Sequence, residues 1–129
     1  MAIILRRRTR QIRAHVLDTD DHSGADLSRT KLYDLDLRGK VFRGANLSRS
    51  DLTGANCTGV DFEGADLTAA FLTGAQFNDA NLRGANLSGA YALATDFGGA
   101  QLQAAILDRV VYDPGTVWPP GVEPPRPGD

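Results

Sequence analysis

Apolar residues recur in this chain at every fifth position. From Leu27 the centres run Leu32, Leu37, Phe42, Leu47, Leu52, Cys57, Phe62, Leu67, Leu72, Phe77, Leu82, Leu87, Ala92, Phe97, Leu102 and Leu107. None is displaced by an insertion, and only Ala92 is small. Two residues before most centres stands an alanine, as at Ala45, Ala65 and Ala85, and the residue between is most often Asp or Asn. The two that follow are mainly Ser, Thr, Arg or Gly. A helix cannot use this spacing. Five steps of about 100° rotate each centre by roughly 140° from the last and smear the apolar residues around the cylinder. A short extended segment can: in Ala-Asp-Leu the outer side chains share one face and the middle one points away. The following pair suits a corner where the chain must bend.

A second period overlies the first. GADLS at 24–28 returns as GANLS at 44–48, GADLT at 64–68 and GANLS at 84–88. If four short sides close one coil, residues twenty apart stack at strand spacing, about 4.8 Å. One outward column then reads Asp26, Asn46, Asp66, Asn86, and its neighbour reads Ser28, Ser48, Thr68, Ser88. Steps of fifteen mix Ser28 with Arg43 and Thr58, which is less coherent. The matching core ladder is Leu27, Leu47, Leu67, Leu87 and Leu107.

The tandem A(D/N)LXX array resembles the pentapeptide-repeat family over residues 25–109. The resemblance implies an all-β fold, a right-handed quadrilateral parallel β-helix solenoid with four repeats per coil. Here that means about four coils, or roughly 20 Å of stacked rise. The handedness comes from the resemblance, and it agrees with the preference for right-handed crossovers.

The chain divides into a basic N-terminal capping arm (1–23), the β-helix (24–109) and a C-terminal capping tail (110–129). Both ends of an open β-helix need covering, because bare edges invite pairing. In the arm, Ile12 and Leu17 keep the five-residue frame and Ile12, Ala14 and Val16 alternate, so an extended, degenerate coil is expected. An amphipathic helix using Leu5, Ile12 and Val16 ranks second. In the tail, Tyr112, Val117 and Val122 keep the frame, within a Y-D-x-x-T-x-W-P-x-G pattern similar to tails of short family members. Trp118 is the expected lid on the last coil, since an indole covers a large area. The prolines stop further pairing because they offer no N–H.

Composition narrows the chemistry. Residues 1–13 hold five arginines and no acid, whereas the remaining nine basic and sixteen acidic residues give that part a charge of −7. No apolar run is long enough to span a membrane. The apolar start precedes its arginines, the reverse of a secretory signal, so a cytoplasmic protein is expected. Cys57 is the only cysteine, which excludes an internal disulfide. At a centre position it reads as a small buried apolar residue. His15 and His22 are the only histidines. The string DTDDH, Asp18 to His22, gathers three carboxylates and an imidazole, but one acidic segment reads better as a solvated turn than as a metal site. No nucleophile triad, phosphate loop or dinucleotide fingerprint is present. No catalytic, cofactor-binding or metal residue is therefore assigned. Leu35 and Lys40 occupy inward positions normally held by alanine, and Lys40 needs the open end or an arm carboxylate.

Three surface columns stand out. Arg43, Glu63, Arg83 and Gln103 stack as an expected salt-bridge ladder, and Arg29 and Arg49 stack at a corner near the basic arm, as a solvated pair or an anion patch. In the third column, Lys31, Asp51, Phe71, Tyr91 and Val111, the outward positions turn apolar; Leu93 lies close by and Ile106 on an adjoining side. This is the candidate interface, unless the tail folds back over it. A non-catalytic module binding an unknown protein partner, or itself as a homodimer, is the first expectation. The alternative comes from the resemblance: a DNA mimic acting on DNA gyrase or topoisomerase. Twenty ångströms of duplex carry roughly twelve charges, and this short body, with arginines interleaved, offers −7. Direct nucleic-acid binding is not expected, since an acidic body repels phosphates.

Overall fold

The computed structural model describes residues 9–129. From Asp21 onward the chain winds as a parallel β-helical solenoid. Isolated parallel bridges join residues twenty apart, such as Asp26 to Asn46, Asn46 to Asp66 and Asp66 to Asn86. Each rung is held in both directions, as where Leu47 N–H donates to Asp66 O (2.7 Å) and Asp66 N–H to Ala45 O (2.9 Å). The bridged partners are thus four five-residue units apart.

The corners explain the sequence that follows each centre. The residue three after the centre donates back to it, as Ala65 N–H does to Phe62 O (2.9 Å). The residue two after the centre has positive φ, for example 68° at Gly64 and 56° at Ala69. With positive φ confined to that position, these are type II turns, which favour glycine there. The Asp or Asn before the centre adds a second device. Its Oδ1 accepts from the N–H two residues on, as Asp66 does from Thr68 (2.9 Å) and Asn86 from Ser88 (3.0 Å). Such Asx turns preset the bend locally.

Inside, Leu27, Leu47, Leu67 and Leu87 are fully buried, and Leu107 is half-buried because no winding lies above it on that side. A run of rings threads the core. His22 stacks on Phe42 at 4.9 Å, Phe42 on Phe62 at 5.4 Å, Phe77 on Phe97 at 5.5 Å and Phe97 on Trp118 at 4.9 Å. The run changes sides between Phe62 and Phe77, whose rings tilt by 45°. Cys57 precedes Phe77 in its column, and its small volume balances bulky Phe62 in the same winding. Cys57 is buried, and burial pushes its thiol pKa up, so it packs as an apolar group.

The arm departs from the extended expectation. Thr9–Asp18 forms a helix, α1, that buries Ile12 and Val16. Their i, i+4 spacing outweighs the five-residue frame, and Leu17 is 44% exposed. Residues 9–17 also lack the glycine and Asx residues that build corners, while Gln, Arg and Ala suit a helix. Leu5, used in the second expectation, lies outside the described residues. Two buried polar side chains hold α1 in place. Lys40, only 6% exposed, donates to Leu17 O (2.9 Å) and Thr19 O (3.0 Å) and meets Asp20 at 3.4 Å. A cation at the carbonyl end of a helix satisfies orphan acceptors and complements the dipole. Arg13 clamps from outside, donating to Tyr33 O (2.8 Å) and lying 4.3 Å over the Tyr33 ring.

His22 is the other buried anchor, which overturns the reading of DTDDH as a solvated turn at that residue. Its Nε2 lies 2.8 Å from Thr19 O and 3.1 Å from Val16 O. With two carbonyls there, Nε2 must carry the proton. Burial, the largest influence, lowers the His22 pKa; the carbonyls oppose this, and the charges of His15 and Lys40 add to it. The unfolded ring therefore binds a proton more readily than the folded one. Stability from this residue is intact above the unfolded imidazole pKa, about 6.5, and declines as pH falls below it until the folded ring also titrates. Urea midpoints measured from pH 7.5 to 5 should fall for the native chain, and that slope should shrink in His22→Phe, which keeps the ring stack.

At the other end, Trp118 stacks on Phe97 of the last winding, out of the expected register. Val117 bridges Asp96, twenty-one residues earlier, and is 48% exposed, so Trp118 takes the central position over Phe97. Pro114 explains the added residue. It falls two after the centre Tyr112, where earlier units have positive φ, and a proline ring forbids that. Asp113 bridges the enlarged corner, accepting from Ala94 N–H and Gly115 N–H, both at 3.0 Å. Val122 leaves the frame as well and donates to Pro119 O in a turn (3.2 Å).

Candidate interaction face

Phe71 and Tyr91 lie at outward positions in successive windings, joined by a parallel bridge that continues to Val111. Elsewhere an Asp or Asn in this position locks the corner through its Asx turn. Phe71 and Tyr91 cannot, and the N–H groups of Thr73 and Leu93 have no protein acceptor among the described residues. The corner forgoes a bond and gains an exposed ring. Phe71 is 44% and Tyr91 41% exposed, and their rings stack nearly parallel, 6° apart at 5.1 Å. Val111 extends the strip, exposed, and Leu93 is half-buried at the adjoining corner. Ile106 is exposed but bridges Asn86 on the neighbouring side, so it stands apart from this strip.

The tail does not cover the two rings. It returns to the last winding instead, where Arg109 N–H donates to Asp129 O (2.6 Å) and Tyr112 Oη to Pro125 O (2.7 Å). Between them lies a cavity of about 410 Å³ lined by Arg109, Val110, Val111, Tyr112, Pro127 and Gly128.

Toward the arm, the same side becomes basic. Arg29, Lys31 and Arg49 line a groove of about 300 Å³ with Thr30, Asp51, Thr53 and Phe71. Among the described residues, none of those three cations is ion-paired. Arg29 and Arg49 both sit in the left-handed region, at φ 58°. The groove was only half legible in the sequence. The stacked arginines were visible, but their convergence with Lys31 and Phe71 depends on how the corner turns.

The opposite side forms part of the expected ladder. Arg43 pairs with Asp61 (2.7 Å) and Glu63 (3.1 Å). Glu63 then accepts from Asn81 Nδ2 (3.1 Å), and the Arg83 guanidinium makes no ion pair among the described residues. In DTDDH the acids disperse: Asp20 meets Lys40, Asp21 accepts from the Ser23 hydroxyl (2.7 Å), and His22 is interior.

A solenoid of five-residue units with one exposed aromatic side is the class of molecule these features define. The chain belongs to the pentapeptide-repeat family: the family model for pentapeptide repeats (8 copies) matches residues 23–59, 32–68 and 55–91. Proteins of this family are generally non-catalytic. Among solved structures, one similar to this chain is a pentapeptide repeat protein from the cyanobacterium Cyanothece. It is 33% identical with a TM-score of 0.55, over 72% of this chain and 63% of that one. A pentapeptide repeat protein of the Arabidopsis thaliana thylakoid lumen is 34% identical with a TM-score of 0.49, over 66% of this chain and 59% of that one. A third, from Nostoc, is 29% identical with a TM-score of 0.41, over 87% and 84%. The chain thus spans less than two thirds of the first two relatives (63% and 59%). No curated protein matches the chain.

Proposed function

We propose that this chain is a non-catalytic interaction module that presents one side of a right-handed, four-sided β-helix of about four coils to a protein partner or to a second copy of itself. The observation that carries this reading is the stacked pair Phe71–Tyr91, exposed at outward positions of successive windings. Rigid aromatic side chains lose little freedom when they become buried, and they anchor many interfaces. A cytoplasmic setting belongs to the same proposal and is consistent with one buried, unpaired cysteine, Cys57.

The gyrase or topoisomerase reading has weaker support. A DNA mimic must present unneutralised acids, yet Arg43 engages both Asp61 and Glu63 on one side, and the opposite side carries Arg29, Lys31 and Arg49. Supercoiling by purified gyrase should be unchanged at large molar excess of the protein.

Replacing the pair, Phe71→Ser with Tyr91→Ser, should leave the circular dichroism of the solenoid intact. The pair's own stacking contributes only about 0.5–1.5 kcal/mol. The double variant should lower the mass seen by light scattering or lose the partner in a pull-down. If mass and partner capture both stay unchanged, the aromatic side is not the interface.

A further inference from the structure

We propose that the groove beside Phe71 is an acid-binding clamp, and that the partner docked on this side is an extended acidic protein segment with an apolar residue a few positions from its carboxylates. This rests on the proposed interaction face and specifies its partner.

Three observations carry it. First, Arg29, Lys31 and Arg49 converge on one groove of about 300 Å³ that contains a single carboxylate, Asp51. That carboxylate accepts from Thr53 N–H (3.0 Å) and pairs with none of the three cations. Elsewhere Arg38, Lys40, Arg43 and Arg126 have carboxylate partners, while Arg83, like the three groove cations, makes no ion pair among the described residues. An unneutralised positive groove on a body of charge −7 is a local reversal of sign, and it attracts acidic groups to one place. Second, the groove opens onto the Phe71 ring, and the apolar strip continues through Tyr91 to Val111. A free phosphate would leave that strip unused. Third, the charges and rings are in line along one side. At about 4.8 Å per winding, Tyr91 stands ~10 Å above Arg49 and ~14 Å above Arg29. An extended peptide rises about 3.3 Å per residue, so its acids should precede the apolar residue by roughly three or four positions. A nucleic acid fits less well. It carries a charge every ~1.7 Å along its duplex and would meet the acidic remainder of the body on either side of this short groove.

The probe is the synthetic peptide Ac-Gly-Glu-Glu-Gly-Ser-Trp-Gly-amide, titrated into the nitrogen-15-labelled full chain and followed by amide chemical shifts. Saturable shifts are expected at Lys31, Arg49, Thr53, Phe71 and Tyr91. Affinity should fall at least tenfold in Arg29→Glu with Arg49→Glu, and also between about 50 and 500 mM salt, as screening shortens the reach of the charges. Both arginines are exposed, and circular dichroism checks that the double variant stays folded. A Gln-for-Glu peptide should bind at least tenfold more weakly. Equal binding by that peptide, with dependence on Trp retained, overturns the clamp and leaves the aromatic face standing. Equal binding by a Gly-for-Trp peptide, unaffected by Phe71→Ser with Tyr91→Ser, overturns the aromatic face itself. Tighter binding of a twelve-nucleotide DNA strand at the same amides replaces the acidic segment with a nucleic acid and overturns the proposal.

Discussion

Leu67→Asp should abolish cooperative folding. Leu67 is fully buried between Leu47 and Leu87 in an uninterrupted ladder. Truncating such a leucine to alanine costs about 2–5 kcal/mol through lost burial and the cavity left behind. A carboxylate adds a desolvation penalty of several kcal/mol, since no cation stands in that column to receive it. Together these are comparable to the stability of an ordinary small domain, about 5–15 kcal/mol. The position also matters because each winding touches only its neighbours, so a break in the middle leaves two stacks too short to stand alone. Leu67→Ala should stay folded with a lowered urea midpoint, whereas Leu67→Asp should lose its thermal transition in circular dichroism. A cooperative transition in the Asp variant would contradict the packing described for the central windings.

Trp118→Ala should have the next largest effect. The indole lies 4.9 Å from the Phe97 ring at 13° and meets Tyr112 edge-on at 5.7 Å. Its removal uncovers the end of the aromatic run and loosens the tail that Tyr112 tethers. Because Trp118 is only half-buried, about 3 kcal/mol is expected, the low end for buried tryptophans. Trp118→Phe should retain most of that stability. The indole Nε1 is buried without a partner, so a phenyl ring loses area but no hydrogen bond. Urea midpoints of the two variants should separate clearly. Equal loss in both would mean that the cap needs the full indole area, which a phenyl ring does not supply.

The windings were legible in the sequence because their rules are local. A centre, a small inward residue, an Asx acceptor and a residue tolerant of positive φ all fall within five positions, and repetition removes ambiguity about the face each one takes. Phe71 and Tyr91 were legible for the same reason, as apolar residues in an outward frame. The ends were less readable. The five-residue spacing of Ile12 and Leu17 continued the frame by coincidence, while Ile12 and Val16 turned inward on α1. His22 stands at a centre position, five before Leu27, yet its acidic neighbours have the composition of a solvated turn, which masks its place beneath Phe42. At the tail, Pro114 was the signal that Val117 could not stay in frame, because its fixed φ is incompatible with the corner.

By itself the sequence determined the winding: its period, which residues face in, and which outward column turns apolar. Each of those follows from steric rules acting within a single unit. Only the tertiary structure decided how the winding is closed and what its surface brings together. Lys40 is stable in the interior because carbonyls at and just beyond the end of α1, more than twenty residues earlier, reach it. Arg29, Lys31, Arg49 and Phe71 become one groove because the corner turns their side chains toward a common space. Those are meetings between units, set by packing and electrostatics across windings, and no single repeat contains them.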